Sequence, residues 1–164
     1  MSRSVTSTLR AALAACALLW VAALASPASA SSYYLTDLGR FETAQVVLFR
    51  DQGIQTTDQD LEATLTPLSR KALASKVNLS EAELLELARD CELMQLTGIG
   101  PKVAKMLRAA GVVSVEDLGQ RDPNDLMGRM RTVNKSFTYT ATHPTLDLIQ
   151  FWVQQARNAP LKVR

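Results

Sequence analysis

The run Leu96-Thr97-Gly98-Ile99-Gly100-Pro101-Lys102-Val103-Ala104-Lys105-Met106-Leu107 carries more structural information than any other part of the chain. Two glycines flank one apolar residue. Glycine lets the backbone turn sharply and removes side chains from the turn surface. Ile99 between them is expected to point inward and pin the turn. Pro101 suits the first position of a helix, where its missing N–H costs nothing. The helix must therefore begin at once, with its free N–H groups and positive dipole end facing the turn. Ala104 keeps the facing helices close.

This order matches the helix-hairpin-helix pattern. A phosphate can sit at such a helix start, with Lys102 and Lys105 reaching its oxygens. The candidate phosphate- or DNA-binding residues are therefore Gly98, Ile99, Gly100, Lys102 and Lys105. The same turn also packs helices with no ligand at all. A second copy lies 58 residues upstream, where Arg40–Ile54 aligns with Gly98–Val112. Phe41 matches Ile99, Val46 matches Ala104, Phe49 matches Leu107, Gly53 matches Gly111 and Ile54 matches Val112. Paired copies of one helical unit read as hairpins stacked on each other. Arg40 and Glu42 replace the two glycines of the first copy, so that hairpin is expected to be structural only.

Around these copies the chain reads as helices, over 43–52, 58–64, 67–77, 80–95, 101–110, 115–120, 123–134 and 144–158. Capping signals mark the starts: Thr57 with Asp60, Ser80 with Glu83, Ser114 with Asp117, Thr66 before Pro67 and Asp122 before Pro123. Gly53 and Gly111 suit left-handed helix ends. No run alternates long enough for a strand, and residues 137–143 read as a linker. The last helix is amphipathic through Leu146, Ile149, Val153 and Ala156, with Trp152 expected in the core. Cys91 shares an apolar face with Leu84, Leu87 and Ala88 and is also expected in the core. His143 reads as a loop residue.

The full chain has 164 residues, 18 Lys+Arg and 16 Asp+Glu, for a net charge of +2. That balance excludes a polycation coating nucleic acid. Aromatic residues at 5% are too few for a base-stacking platform. Two cysteines and one histidine exclude a Cys/His zinc site. Residues 1–30 differ from the rest. Arg3 and Arg10 precede the apolar run 11–25, and Ala28-Ser29-Ala30 follows. This is the order of a secretory signal peptide, too short in its apolar part to span a bilayer. Cleavage there starts the chain at Ser31 and removes the two arginines that make the excess. What remains is neutral but split, with −5 over residues 31–97 and +5 over residues 98–164.

The strings at 66–80, 98–126, Val133-Asn134 and 144–156 resemble a bacterial family of tandem helix-hairpin-helix proteins, domain of unknown function 4332. The resemblance runs from about Leu38 to Ala159. It implies an all-α fold of two hairpin units with linking and closing helices, and it implies no activity. The expected organisation is a signal peptide at 1–30, an N-terminal extension at 31–37 and a tandem domain at 38–164. Within that domain the first hairpin unit is 38–79, the second 93–135 and the closing helix 144–158.

Two functional readings follow. The first is an exported, non-enzymatic module that docks another protein, similar in fold use to the small lumenal extrinsic subunit of photosystem II. The second is weak, sequence-nonspecific binding of double-stranded DNA outside the cytoplasm, as in competence-type DNA receptors. Export by the general secretory route would place the protein in the periplasm or outside the cell, or in the thylakoid lumen of a phototroph. No nucleophile elbow, metal spacing or partner for the single histidine suggests an enzyme, a cofactor or a metal.

Overall fold

A computed structural model describes residues 32–164; the expected signal peptide at 1–30 lies outside the described residues. Capping and apolar spacing build eight α-helices in this region: α1 Thr43–Asp51, α2 Thr57–Thr64, α3 Pro67–Val77, α4 Glu81–Leu93, α5 Pro101–Ala109, α6 Val115–Gln120, α7 Pro123–Phe137 and α8 Leu146–Asn158. A 3₁₀ turn, Leu35–Leu38, precedes them. The described residues contain no strand, only one antiparallel bridge between Tyr34 and Thr56. The all-α expectation holds. No helix among the described residues is long and apolar enough to cross a membrane.

Most starts follow the sequence reading. Ser80 and Glu83 form a reciprocal capping box, and Asp122 accepts from the N–H groups of Asn124 and Asp125, each at 2.9 Å. The α2 cap differs by one residue. Thr56, not Thr57, accepts from Gln59 N, and the Gln59 side chain accepts in return from Thr56 N. Thr56 and Gln59 can trade bonds in the same way as the expected pair. The shift rotates Thr57 and Asp60 onto the buried face. Helix α7 runs on to Phe137, ending where Thr138 takes a left-handed conformation. Helix α8 begins after Thr145, whose hydroxyl caps Leu148 N, so Pro144 lies outside it.

The repeat at a spacing of 58 is visible in the helix ends. Ile54 N donates to Phe49 O, and Val112 N donates to Leu107 O, both at 3.0 Å. Gly53 and Gly111 have φ +77° and +92°, as a left-handed end requires. The copies differ at their entry turns. Gly98 has φ +85°, but the first copy places its left-handed residue at Gly39, one position before the aligned Arg40. Arg40 can therefore stand at a glycine position without backbone strain.

Helix α4 supplies much of the core through the fully buried Leu84, Leu87, Ala88, Cys91 and Leu93. Helices α2 and α3 pack on α4, α7 packs on α5 and α8, and α8 lies along α6. The stretch read as an extension, 31–37, joins this core through the buried Leu35, next to the buried Leu38 of the expected domain. The last residues are anchored as well. Glu92, itself buried, accepts from Lys162 N at 2.5 Å and Val163 N at 3.1 Å. Arg164 N donates to Leu65 O at 3.0 Å, and the buried Arg70 donates to Arg164 O. Deleting residues 160–164 strips partners from a buried carboxylate and a buried guanidinium. We expect a loss of about 2–4 kcal/mol in urea unfolding, since an uncompensated buried charge is costly; an unchanged midpoint would show that water replaces the tail.

Candidate functional site

The turn between α4 and α5 forms as its residues dictate. Ile99 N donates to Leu96 O at 3.1 Å, and Ile99 is buried. Gly100 is the N-cap of α5, and with no side chain it supplies no cap bond. Pro101 occupies the first helical position. Gly98, Ile99 and Gly100 thus meet in one sharp turn ahead of a helix N-terminus.

What covers that turn was not legible in it. Helix α8 lies against one side. Gln155 grips the turn in both directions, accepting from Thr97 N at 3.0 Å and donating to Thr97 O at 3.1 Å. A Cβ at Gly98 would stand 3.1 Å from Trp152 Nε1. The indole is buried, and its N–H has no hydrogen-bond partner among the described residues. On the other side, a Cβ at Gly100 would stand 3.1 Å from the Tyr33 hydroxyl and 3.4 Å from its Cζ. Each glycine therefore has a specific aromatic neighbour, and each absent side chain makes room for it.

Tyr33 is held by its own backbone. Its N–H donates to Thr57 Oγ1 at 3.1 Å, and its carbonyl accepts from Thr57 N at 2.9 Å. The buried Thr57, expected to cap α2, instead ties residues 33–34 to the first copy. A cleft of about 380 Å³ remains beside the turn, lined by Tyr33, Asp37, Gly100, Pro101, Lys102 and Val103. One acidic and one basic side chain share it, so its side chains carry no net charge.

The two lysines line different clefts, which adjoin at Pro101. Lys102 lines the Tyr33 cleft. Lys105 lines a different one, formed with Leu38, Arg40, Asp90 and Arg108. Its Nζ lies 3.5 Å from where a Cβ of Gly39 would be. The five candidate residues are thus a turn with two lysines in separate clefts. Sequence reasoning missed Tyr33, Asp37, Trp152 and Gln155 as neighbours of the turn. The aromatic pair Tyr33-Tyr34 in an otherwise polar stretch was the one available signal for the first of them.

Cys91 and His143 lie apart in character. Cys91 is buried, and its thiol donates to Asp60 Oδ2 at 3.5 Å. Burial, and the Asp60 carboxylate beside it, push the thiol well above its usual range. His143 is exposed in the linker before α8.

A family model described as a domain of unknown function, number 4332, matches residues 39–159. The chain belongs to that family. No curated protein and no solved structure matches it.

Proposed function

From this membership, which carries no assigned activity, we propose that the protein is an exported, non-enzymatic helix-hairpin-helix module that docks another protein. The observation that carries this reading is the cover over the glycine turn before α5. Tyr33 occupies the space beside Gly100, and Asp37 shares the cleft with Lys102. A backbone phosphate needs open N–H groups and converging cations; here Tyr33 covers one side of the turn, the cleft that remains holds a carboxylate beside Lys102, and Lys105 lines another cleft. The exposed apolar side chains favour a protein partner. Leu148 and Phe151, one turn apart on α8, face solvent while Ile149, Trp152 and Val153 fill the core. Phe137 is 66% exposed at the end of α7, with its ring centroid 5.7 Å from that of Tyr139. Apolar surface rimmed by polar residues is a common mark of protein contact.

Binding of double-stranded DNA is the competing reading, favoured by the intact glycine turn and the +5 charge of residues 98–164. A titration against random duplex DNA separates the two. At ~50 mM salt, where phosphate contacts are strong, we expect no saturable binding at micromolar protein. Saturable binding that disappears in Lys102→Glu, with the melting curve unchanged, would establish the DNA reading instead. Lys102 is the better probe because a side chain at Gly100 would strike Tyr33. The positive arm is a photo-crosslinker at position 151 in an exporting host. It should give one discrete protein adduct that Leu148→Glu removes. N-terminal sequencing of the exported product should begin at Ser31, and an intact Met1 would remove export from the proposal.

A further inference from the structure

The second cleft reached by Lys105 has a different chemistry from the turn. It measures about 390 Å³, within the range of small-ligand pockets. Leu38, Met94, Pro101, Ala104, Ala109 and Tyr139 give it mainly apolar walls. These come from the 3₁₀ turn, the C-terminal end of α4, α5 and the linker after α7, so the pocket exists only once these four segments have packed.

Its charged groups form one cluster. Arg40 Nη1 donates to Asp90 Oδ2 at 3.1 Å. Arg108 Nε lies 3.0 Å from Asp90 Oδ1, in ion-pair contact but off the hydrogen-bond direction. Arg108 Nη2 is 3.8 Å from Glu86, whose side chain is largely exposed. Two guanidiniums thus share one half-buried carboxylate. Lys105 has no ion-pair partner among the described residues. Three cations against two carboxylates leave a single positive charge at the pocket. Arg40 spends one N–H on Asp90, and its remaining N–H donors have no side-chain acceptor among the described residues. A guanidinium fork with free donors matches a planar carboxylate better than a compact ammonium does.

We propose that this pocket binds a carboxylate carried on an apolar stem. The carboxylate sits between Arg40 and Lys105, and the stem lies along Met94, Ala104 and Tyr139. A dianion is disfavoured, because Asp90 and Glu86 stand at the same wall and only one charge is uncompensated. The proposal does not rest on the docking reading: it uses neither α8 nor the exposed Phe137, and shares with it only Tyr139, which packs on Phe137. It also explains the first copy. Arg40, which displaces a glycine from the hairpin pattern, supplies the donors that the pocket needs.

The same chemistry can come from a free amphiphile or from the C-terminus of a protein chain. Two probes distinguish them: octanoate, and the dipeptide acetyl-Leu-Phe with its free carboxylate. NMR of the full protein should show saturable shifts of the Met94, Ala104 and Ala109 methyl groups. A ligand of about ten heavy atoms should bind with a dissociation constant on the order of 1 mM. Octanol, which keeps the stem and lacks the charge, should bind about tenfold more weakly. Lys105→Glu should weaken octanoate by about five- to tenfold, and Lys105→Met by less. Both changes are at an exposed position and should leave the melting curve in place. Ala109→Leu, at the exposed edge of the pocket, should weaken both probes by filling it. Binding of either probe with this pattern supports the site, and the preferred probe names the source. The proposal fails if neither probe shifts these methyls, if octanol binds as well as octanoate, or if Lys105→Glu changes nothing.

Discussion

Asp60→Asn is expected to stabilise the protein at pH 8 and to flatten its stability between pH 4 and pH 7. Asp60 is fully buried where α2 meets α4. One carboxyl oxygen receives the Cys91 thiol at 3.5 Å; the other has no hydrogen-bond partner. Arg40 acts on the Asp60–Cys91 pair at longer range, the Thr64 hydroxyl donates to the Asp60 backbone carbonyl at 2.6 Å, and Asp90 adds negative charge near the thiol. Burial wins over these aids and pushes the Asp60 carboxyl from its ordinary 3.8 up to about 7.

The direction of the pH effect follows from proton counting. Between pH 4 and pH 7 the folded protein holds the Asp60 proton and the unfolded chain has lost it. Stability therefore falls as pH rises through this window, and levels off once both states are ionised above about 7. A shift of this size corresponds to about 3–4 kcal/mol lost across the window, at ~1.4 kcal/mol per pKa unit. Asparagine resembles the neutral acid and carries no charge to bury. Its amide N–H₂ does need an acceptor, which offsets part of the gain. We expect Asp60→Asn to exceed the native protein by about 2 kcal/mol at pH 8 and to match or fall below it at pH 4. Urea unfolding of both proteins across pH 4–8 checks this. A constant difference over that range would mean that Asp60 is ionised in the fold throughout.

Gly98→Ala carries the second large effect. The position has φ +85°, which costs an L-residue about 1–2 kcal/mol. The new Cβ would also stand 3.1 Å from Trp152 Nε1. Trp152 is buried between the turn and the core, so its ring cannot swing into solvent. Displacing it should add about 1–3 kcal/mol of overpacking strain. Gly53 is the internal control. It has φ +77° with nothing within 4 Å of a Cβ, so Gly53→Ala should cost only the backbone term. The difference between the two losses measures the contact with the indole. Trp152→Phe should recover part of the Gly98→Ala loss in a double-mutant cycle, as coupled neighbours do. Equal losses at positions 53 and 98 would mean that Gly98 serves the turn alone.

Much of the architecture was legible because it is local. Capping residues, prolines at first helical positions and the apolar spacing of α3, α5 and α6 need only a few neighbouring residues to be read. The repeat was legible for the same reason, since Gly53 and Gly111 end equivalent helices with equivalent bonds. The α2 start shows where locality stops. Thr56-Gln59 and Thr57-Asp60 are both acceptable caps by composition. The choice between them depends on which face of α2 meets α4, and that places Asp60 in the core. The entry turn of the first copy shows it again. Arg40 aligns with Gly98, yet Gly39 takes the left-handed conformation.

The sequence by itself determined that this protein is helical, where most of its helices start, and that one glycine turn precedes α5. Those features rest on hydrogen bonds and dihedral preferences within a turn or two of chain. Only the tertiary structure decided what surrounds that turn. Tyr33 arrives from 67 residues away to cover Gly100, and Trp152 from 54 residues away to fill the space at Gly98. The same packing sends Lys102 and Lys105 into separate clefts and brings Arg40 beside Asp90. Such contacts depend on how whole helices settle against one another, because the free energy of burial is shared by many side chains and is not encoded at any one of them.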